Sequence, residues 1–539
     1  MTTRYSHLIT DENRKWWTLG AMCFALFMIM LDNTIVNVAL PSIQKDLGAS
    51  ISGLEWTING YTLSFAVLLA TGGRLGDIFG RRLMFLVGVV IFALSSATAG
   101  FAPNETALVL SRVVQGVGAA LMMPGTLSII TDAFPAHERG KAMGTWAGVS
   151  ALALAVGPVL GGFLTEHVSW RAIFYVNIPV AIGAVIATLF AVRESRDTSV
   201  GREVDYGGVA VLTVGLTALV LALVEGNSWG WGSTEVVGLL ILAALALPAF
   251  VFVENRVKAP MVQFDLLSDR NFLAAVCVAM IISFGMLGVF FFLALYMQDI
   301  LGYSPLEAGV RFLPSTLMIV GVAPVAGRLS DRYGPRWLIA IGLTIVAASL
   351  FSFSRIAVDS TYIDLLPGFM LLGIGIAMTM SPMTSAAMNA VPVQKAGIAS
   401  GVLSMFRMVG GSLGIAVTGA IFQGLVSSKL GSLLGGSGIT EAQRQSISDQ
   451  LGGGAVPHVQ GLGAAEVKEV AAAGNEAFVY ALSYAMIVSG FVALLGAVIG
   501  ATAIRAKGRT VTSDQVAVAE ASPGGEALAG EEREAAQVA

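Results

Sequence analysis

Asp32 and Arg112 are the two residues whose placement asks for chemistry. Each interrupts a long apolar run, and an ionisable group deep in such a run is costly enough to be functional by default. Counted at 1.5 Å per helical residue, Asp32 lies about 10 Å and Arg112 about 9 Å from the same end of their runs. Opposite charges at matching depth can pair, which favours the ionised carboxylate, whereas a closed, dry surrounding favours the protonated one. A proton carrier alternates between those two states. The competing reading is a static buried ion pair that orients two helices. Asp32 is the one carboxylate expected well inside a run; Glu55, Glu225, Glu235, Asp299, Glu307 and Asp364 are expected near run ends, close to water. Arg407 has no acidic partner in view and could either contact a substrate or reach toward an interface.

The elements that hold these residues are membrane spans. Of 539 residues, 55% are hydrophobic and 12% charged, against about 25% charged in a soluble chain; the mean hydropathy is +0.77. Glycines (63) and prolines (17) fall inside apolar runs, where membrane helices accept them. A net charge of −4 excludes a nucleic-acid binder working by bulk electrostatics. Cys23 and Cys277 sit in separate runs and make neither a disulfide framework nor a zinc site. Runs of about 20 apolar residues cross the bilayer, which predicts spans at 17–39, 55–73, 82–101, 106–130, 142–164, 172–191, 206–224, 234–254, 271–297, 306–327, 336–354, 363–386, 398–424 and 478–503. The expected fold is an all-α polytopic membrane protein of fourteen transmembrane helices. The first run is long, contains Asp32 and leads into further spans, so it reads as retained rather than as a signal peptide.

Lys and Arg set the orientation. With a cytoplasmic amino terminus, the inside segments hold 22 of the 31 positive residues and the outside segments seven. Both termini are therefore expected in the cytoplasm: a tail over 1–16 and an acidic tail over 504–539, disordered from Thr510. A long extracellular loop is expected over 425–477, with a possible surface helix at Glu441–Gln450.

One segment occurs twice. Gly73-Arg-Leu-Gly-Asp-Ile-Phe-Gly-Arg-Arg82 follows the second span, and Gly327-Arg-Leu-Ser-Asp-Arg-Tyr-Gly-Pro-Arg336 follows the tenth. Repeats in a transporter report a chain of two related halves. The register makes 17–191 one six-helix half and 271–503 the other, with an inserted helix pair and linkers over 192–270. In the first copy Gly73 and Gly80 suit a sharp turn. Asp77, beside Arg81 and Arg82, and Asp331 in the second copy can accept from backbone donors and arginines, clamping adjacent helices at the cytoplasmic face. The alternative is a purely topological anchor of positive charge.

With these residues in place the chain resembles the major facilitator superfamily, and within it the fourteen-span drug:proton antiporters. The repeated loop is similar to the superfamily signature between its second and third helices. Leu31-Asp-Asn-Thr-Ile-Val-Asn-Val-Ala-Leu-Pro41 resembles the first-span motif of that branch, Arg112-Val-Val-Gln-Gly-Val-Gly-Ala-Ala120 the span 4 arginine motif, and Gly157-Pro-Val-Leu-Gly-Gly162 the span 5 antiporter motif; Trp170-Arg-Ala-Ile-Phe-Tyr-Val-Asn-Ile-Pro179 also fits. The resemblance covers residues 15–505. It implies proton coupling and cation recognition at Asp32, proton transfer at Arg112, and a span 5 bend at Gly157, Pro158, Gly161 and Gly162 that limits leakage. On the residues alone, Pro158 kinks a helix and the glycines permit close approach, as in any packing kink.

Asn33, Asn37, Trp56, Tyr61, Gln115 and Asn177 could offer hydrogen bonds to a substrate, and Phe291, Met380 and their neighbours in spans 9 and 12 an adaptable apolar wall; helix packing is the competing role for each. The four histidines, His7, His137, His167 and His458, are scattered, so nothing points to an enzyme. No GxxxxGK[ST] loop is present to hold ATP. The expectation is a monomeric exporter in the cell membrane, without cofactor or metal, whose partners are the lipid bilayer, protons and small amphipathic or cationic molecules. A dedicated exporter of one metabolite, an importer and a non-transporting receptor or scaffold are its rivals. With Asp32 as the single deep carboxylate, monovalent cations would be driven mainly by the pH gradient.

Overall fold

Apolar side chains all round a helix leave it nowhere to sit but in lipid or inside other helices, and the described residues are helical almost throughout. The computed structural model describes residues 13–196, 205–257, 260, 264–391, 396–434 and 464–505. In chain order the helices are α1 (Arg14–Leu47), α2 (Ile51–Phe79), α3 (Arg81–Gly100), α4 (Glu105–Ala133), α5 (Ala136–His167), α6 (Ala172–Tyr175), α7 (Asn177–Ala191), α8 (Tyr206–Trp229), α9 (Thr234–Glu254), α10 (Phe264–Leu267), α11 (Arg270–Leu295), α12 (Pro305–Arg311), α13 (Leu313–Tyr333), α14 (Pro335–Phe353), α15 (Tyr362–Asn389), α16 (Ala396–Leu433) and α17 (Ala464–Ala503). A π turn, Tyr296–Ile300, continues α11.

Local chemistry sets many of the boundaries. Ser50 and Asn104 accept from the Gly53 and Ala107 amides at the starts of α2 and α4, supplying partners for orphan donors. Gly80 (φ +121°) and Gly334 (φ +85°) break the chain at equivalent places of the repeated segment, a backbone region that side chains disfavour. The outer surface is greasy: Leu94, Leu245, Ile363 and Phe491 are each more than 60% exposed, as a lipid-facing wall requires.

The helices pack in two groups. In the amino-terminal group α4 lies against α2 and α3, and α1 against α4, α5 and α7; in the carboxy-terminal group α11 lies against α16 and α17, α14 against α15 and α17, and α13 against α15. The groups meet where α2 touches α16 and where α5 touches α12. The α8–α9 pair stands beside this seam, with α8 against both α2 and α16.

Twelve helices among the described residues are long and apolar enough to cross a membrane, and thirteen if α2, bent by 51° between Leu69 and Thr71, counts as one. The expected second and fifth spans fall on α2 and α5. At both ends of the loop expected over 425–477 the chain is helical instead, because α16 runs on to Leu433 and α17 begins at Ala464. Val426 and Leu430 are buried there, and Lys429 pairs with Glu476 at 3.1 Å. Glu441–Gln450, the tail from Thr510 and Lys395 lie outside the described residues, as does the Asp331 side chain.

Candidate functional site

Five helices of the amino-terminal group converge on Asp32. It is 0% exposed and Arg112 is 1% exposed, so neither charge meets water in this state. Arg112 Nη1 donates to Asp32 Oδ2 at 2.5 Å and to Gln115 Oε1 at 2.8 Å, while its Nε donates to the Thr57 carbonyl at 3.0 Å. The second carboxylate oxygen, Oδ1, accepts from Gln115 Nε2 at 2.9 Å and from Asn177 Nδ2 at 3.1 Å. Asn177 also donates to Ser96 Oγ at 3.0 Å, and the Ser96 hydroxyl donates in turn to the Phe174 carbonyl at 2.8 Å. The guanidinium lies 4.3 Å from the Tyr61 ring centre, a cation–π contact. The cluster thus draws on α1, α2, α3, α4 and α7. It can stay buried because the pair is neutral overall and both carboxylate oxygens have donors.

The turn between α2 and α3 is a second charged junction. Arg81 Nε bonds Asp77 Oδ1 at 3.0 Å and its Nη1 bonds Asp132 Oδ2 at 2.6 Å, which fastens the turn to the end of α4. The Glu194 carboxylate takes the backbone amides of Arg82 and Leu83 at 3.0 and 3.2 Å, acting as an anion at the start of α3. Arg82 Nη2 reaches the Leu189 carbonyl at 3.0 Å. Asp132 and Glu194 were not among the expected residues. No sequence signal tied them to the turn, since Asp132 lies 51 residues from Arg81 and Glu194 112 residues from Arg82.

At the opposite end, called here the far end, the Gly157–Gly162 motif makes the seam. Side chains at Gly157 and Gly161 would collide with Thr34 and with the Ile35 backbone of α1, and one at Gly162 with the backbone of Pro305 and Leu306. Gly309 admits the Pro158 carbonyl in the same way. Around these contacts, Gln298 Nε2 donates to the Val38 carbonyl at 2.8 Å, Ser412 Oγ to Asn59 Oδ1 at 2.8 Å, and Lys45 lies 3.5 Å from Asp299. The Leu306 amide donates to Glu166 at 3.0 Å; hydrogen bonds from Ser304 and from that amide hold the Glu166 carboxyl below its usual value. Trp170 and Arg171 both donate to Asp46, closing the end of α1 onto the loop before α6.

The structure sorts the candidate substrate residues. Gln115 and Tyr61 belong to the Asp32 cluster. Asn33 bonds the Ile29 carbonyl of its own helix at 3.0 Å. Phe291 is 0% exposed, stacked edge-on against Phe292, and Met380 is half-buried against the core. Trp56 lies beside Glu225 of α8. Arg407 is half-buried on α16. One expectation is overturned: Glu55, placed near water by its position in the sequence, is 0% exposed. Gly419 and Gln423 of α16 lie over it, which distance along the chain could not reveal.

The Major Facilitator Superfamily model matches residues 22–415. The chain is 35% identical to the tetracenomycin C resistance and export protein of Streptomyces glaucescens, over 90% of this chain and 91% of that one. It is 40% identical to a puromycin resistance protein of Streptomyces alboniger, over 78% and 84%, and 36% identical to the multidrug resistance protein Stp of Mycobacterium tuberculosis, over 77% of each. Among solved structures it is similar to a bacterial homologue of the human lysosomal transporter Spinster in an inward-facing state, with TM-score 0.60 and 18% identity over 90% of this chain and 96% of that one. It is also similar to a D-xylose–proton symporter, with TM-score 0.58 and 14% identity over 92% and 99%. The two likenesses speak for the fold, and the family match with the first three relatives for descent: this chain belongs to the major facilitator superfamily.

Proposed function

We propose that the protein is a proton-driven exporter of antibiotics or other amphipathic drugs, working by alternating access. The observation that carries this is the sealed Asp32–Arg112 cluster in a chain 35–40% identical to resistance and export proteins. Protonation of Asp32 from outside loosens Arg112, and its deprotonation to the cytoplasm restores the pair. Two six-helix halves, 17–191 and 271–503, rock about the seam. The far end is the outer face, the Gly73–Arg82 turn lies in the cytoplasm with both termini, and the present state is closed outward. Fourteen spans complete the reading, with the bent α2 and the 32-residue α5 as the two beyond the twelve; at 1.5 Å per residue α5 is about 48 Å long, ample for a bilayer.

The energy suffices without ATP or any cofactor. One charge moving through 100 mV yields about 2.3 kcal/mol, worth roughly a 50-fold gradient of a neutral substrate. Everted membrane vesicles with an acid interior test the proposal. Ethidium should collapse the gradient with wild-type protein and leave it intact with Asp32→Asn. A gradient that survives a broad panel of cations in both would remove the multidrug reading. A dedicated exporter of one natural product is the second reading, favoured by the single antibiotics for which two relatives are named; collapse by one compound class alone would select it.

A further inference from the structure

Glu55 has a setting unlike that of Asp32. It lies on α2 in the seam between the two helix groups, fully buried. Its Oε1 receives one long hydrogen bond, 3.4 Å, from Gln423 Nε2, and its Oε2 has no partner. The carboxyl group rests directly on Gly419, where any side chain would strike it. The titratable group facing it is another acid, Glu225 of α8, with Glu105 of α4 beyond that. From α16 it meets Gly419 and Gln423. Arg112, on the same face of α4, is committed to Asp32, Gln115 and the Thr57 carbonyl. An ionised carboxylate with one weak donor and an acid for a neighbour is strongly disfavoured in such a place, and the neutral acid much less so. Because the cover comes from the other helix group, opening the seam would remove it and admit water.

We propose that Glu55 is a second proton-carrying group: it holds a proton while the α2–α16 seam is closed and exchanges it when the seam opens. This rests on the antiport reading above. It changes the charge count of the cycle. One proton exchanged for a monovalent cation moves no net charge, so voltage does no work; two protons for one cation move one charge inward, and voltage drives export.

The test uses purified full-length protein in proteoliposomes with ethidium as the probe. A lumen-positive potassium diffusion potential of about 60 mV, worth a factor of ten for one charge, is applied with equal pH on both sides; it repels the cation passively. Wild type should accumulate ethidium roughly tenfold, and Glu55→Gln should lose that response. With a lumen acid by one pH unit and no voltage, the limiting gradients should be about 100-fold for wild type and about tenfold for Glu55→Gln. Equal voltage responses in the two proteins, or a wild type that answers to pH alone, would overturn the proposal. Failure of wild type under both gradients would defeat the exporter reading instead. Dicyclohexylcarbodiimide, which adds to protonated carboxylic acids in apolar surroundings, gives a readout that needs no substrate. Mass spectrometry should find the adduct on the Glu55 peptide, falling as pH rises, and an unlabelled Glu55 at acidic pH would also overturn the assignment.

Discussion

Asp32 and Glu55 are both buried acids of the amino-terminal helix group, yet they are buried in opposite ways. Asp32 lies within that group, where donors from α4 and α7 satisfy both oxygens and an arginine balances its charge. Glu55 is covered by the other group and has one long bond and a bare oxygen. A carboxylate compensated inside a rigid unit keeps its surroundings when the unit moves. One covered across a seam gains or loses its surroundings with the movement. The contrast separates an acid built into one helix group from an acid whose cover belongs to the other.

The largest effect expected from this contrast is on stability. Arg112→Met strands the Asp32 charge, and breaking a buried pair costs about 3–5 kcal/mol. Adding Asp32→Asn should recover much of that loss, whereas Glu55→Gln alone, with no charged partner to strand, should cost under about 1 kcal/mol. Melting of the purified proteins in detergent reads all four; a double variant as damaged as the sum of its singles would mean that the two side chains do not act as a pair. A middle-sized effect is expected from Gly162→Val, which forces a branched side chain onto Pro305 and Leu306. Overpacking of about 1–3 kcal/mol would move the seam roughly 5- to 150-fold toward opening. Distances between spin labels at the exposed Val168 and Val358, in a protein lacking Cys23 and Cys277, should lengthen; no change would remove Gly162 from the seam.

Glu166 gives the smallest effect and the opposite pH sign. It is an exposed carboxylate held below its usual value by Ser304 and the Leu306 amide, so its contribution to closure is present at neutral pH and lost as pH falls through that lowered value. The same label pair should therefore be insensitive to Glu166 titration between about pH 5 and 8, and Glu166→Gln should shift closure by no more than about fivefold. Glu55 runs the other way, since the closed seam favours its protonated form and acid favours closure.

Much of the membrane frame was written in the order of residues. Length and hydropathy place the apolar runs, the repeated glycines mark the turns at Gly80 and Gly334, and an aspartate and an arginine without water nearby declare themselves because burial of an isolated charge is so costly. The span ends were less legible: α16 and α17 outlast their apolar stretches because residues such as Val426 and Leu430 find cover from neighbouring helices. The site was legible in its charges and not in its partners. Ser96, the Thr57 carbonyl, Asp132 and Glu194 lie tens of residues from what they bind, and ordinary hydrogen-bonding residues leave no mark until a fold brings them together.

By itself, then, the sequence determined that the chain is built of membrane-spanning helices and singled out Asp32 and Arg112 as charges inside apolar runs, since hydropathy and charge cost act through local composition. Only the tertiary structure decided that Gln115 and Asn177 complete the Asp32 cluster, that Gly162 and Gly309 let α5 and α12 meet, and that Glu55, one turn from a helix start, is dry. Those outcomes depend on which helix lies against which, and burial at a seam is a property of two surfaces that the chain brings together from far apart.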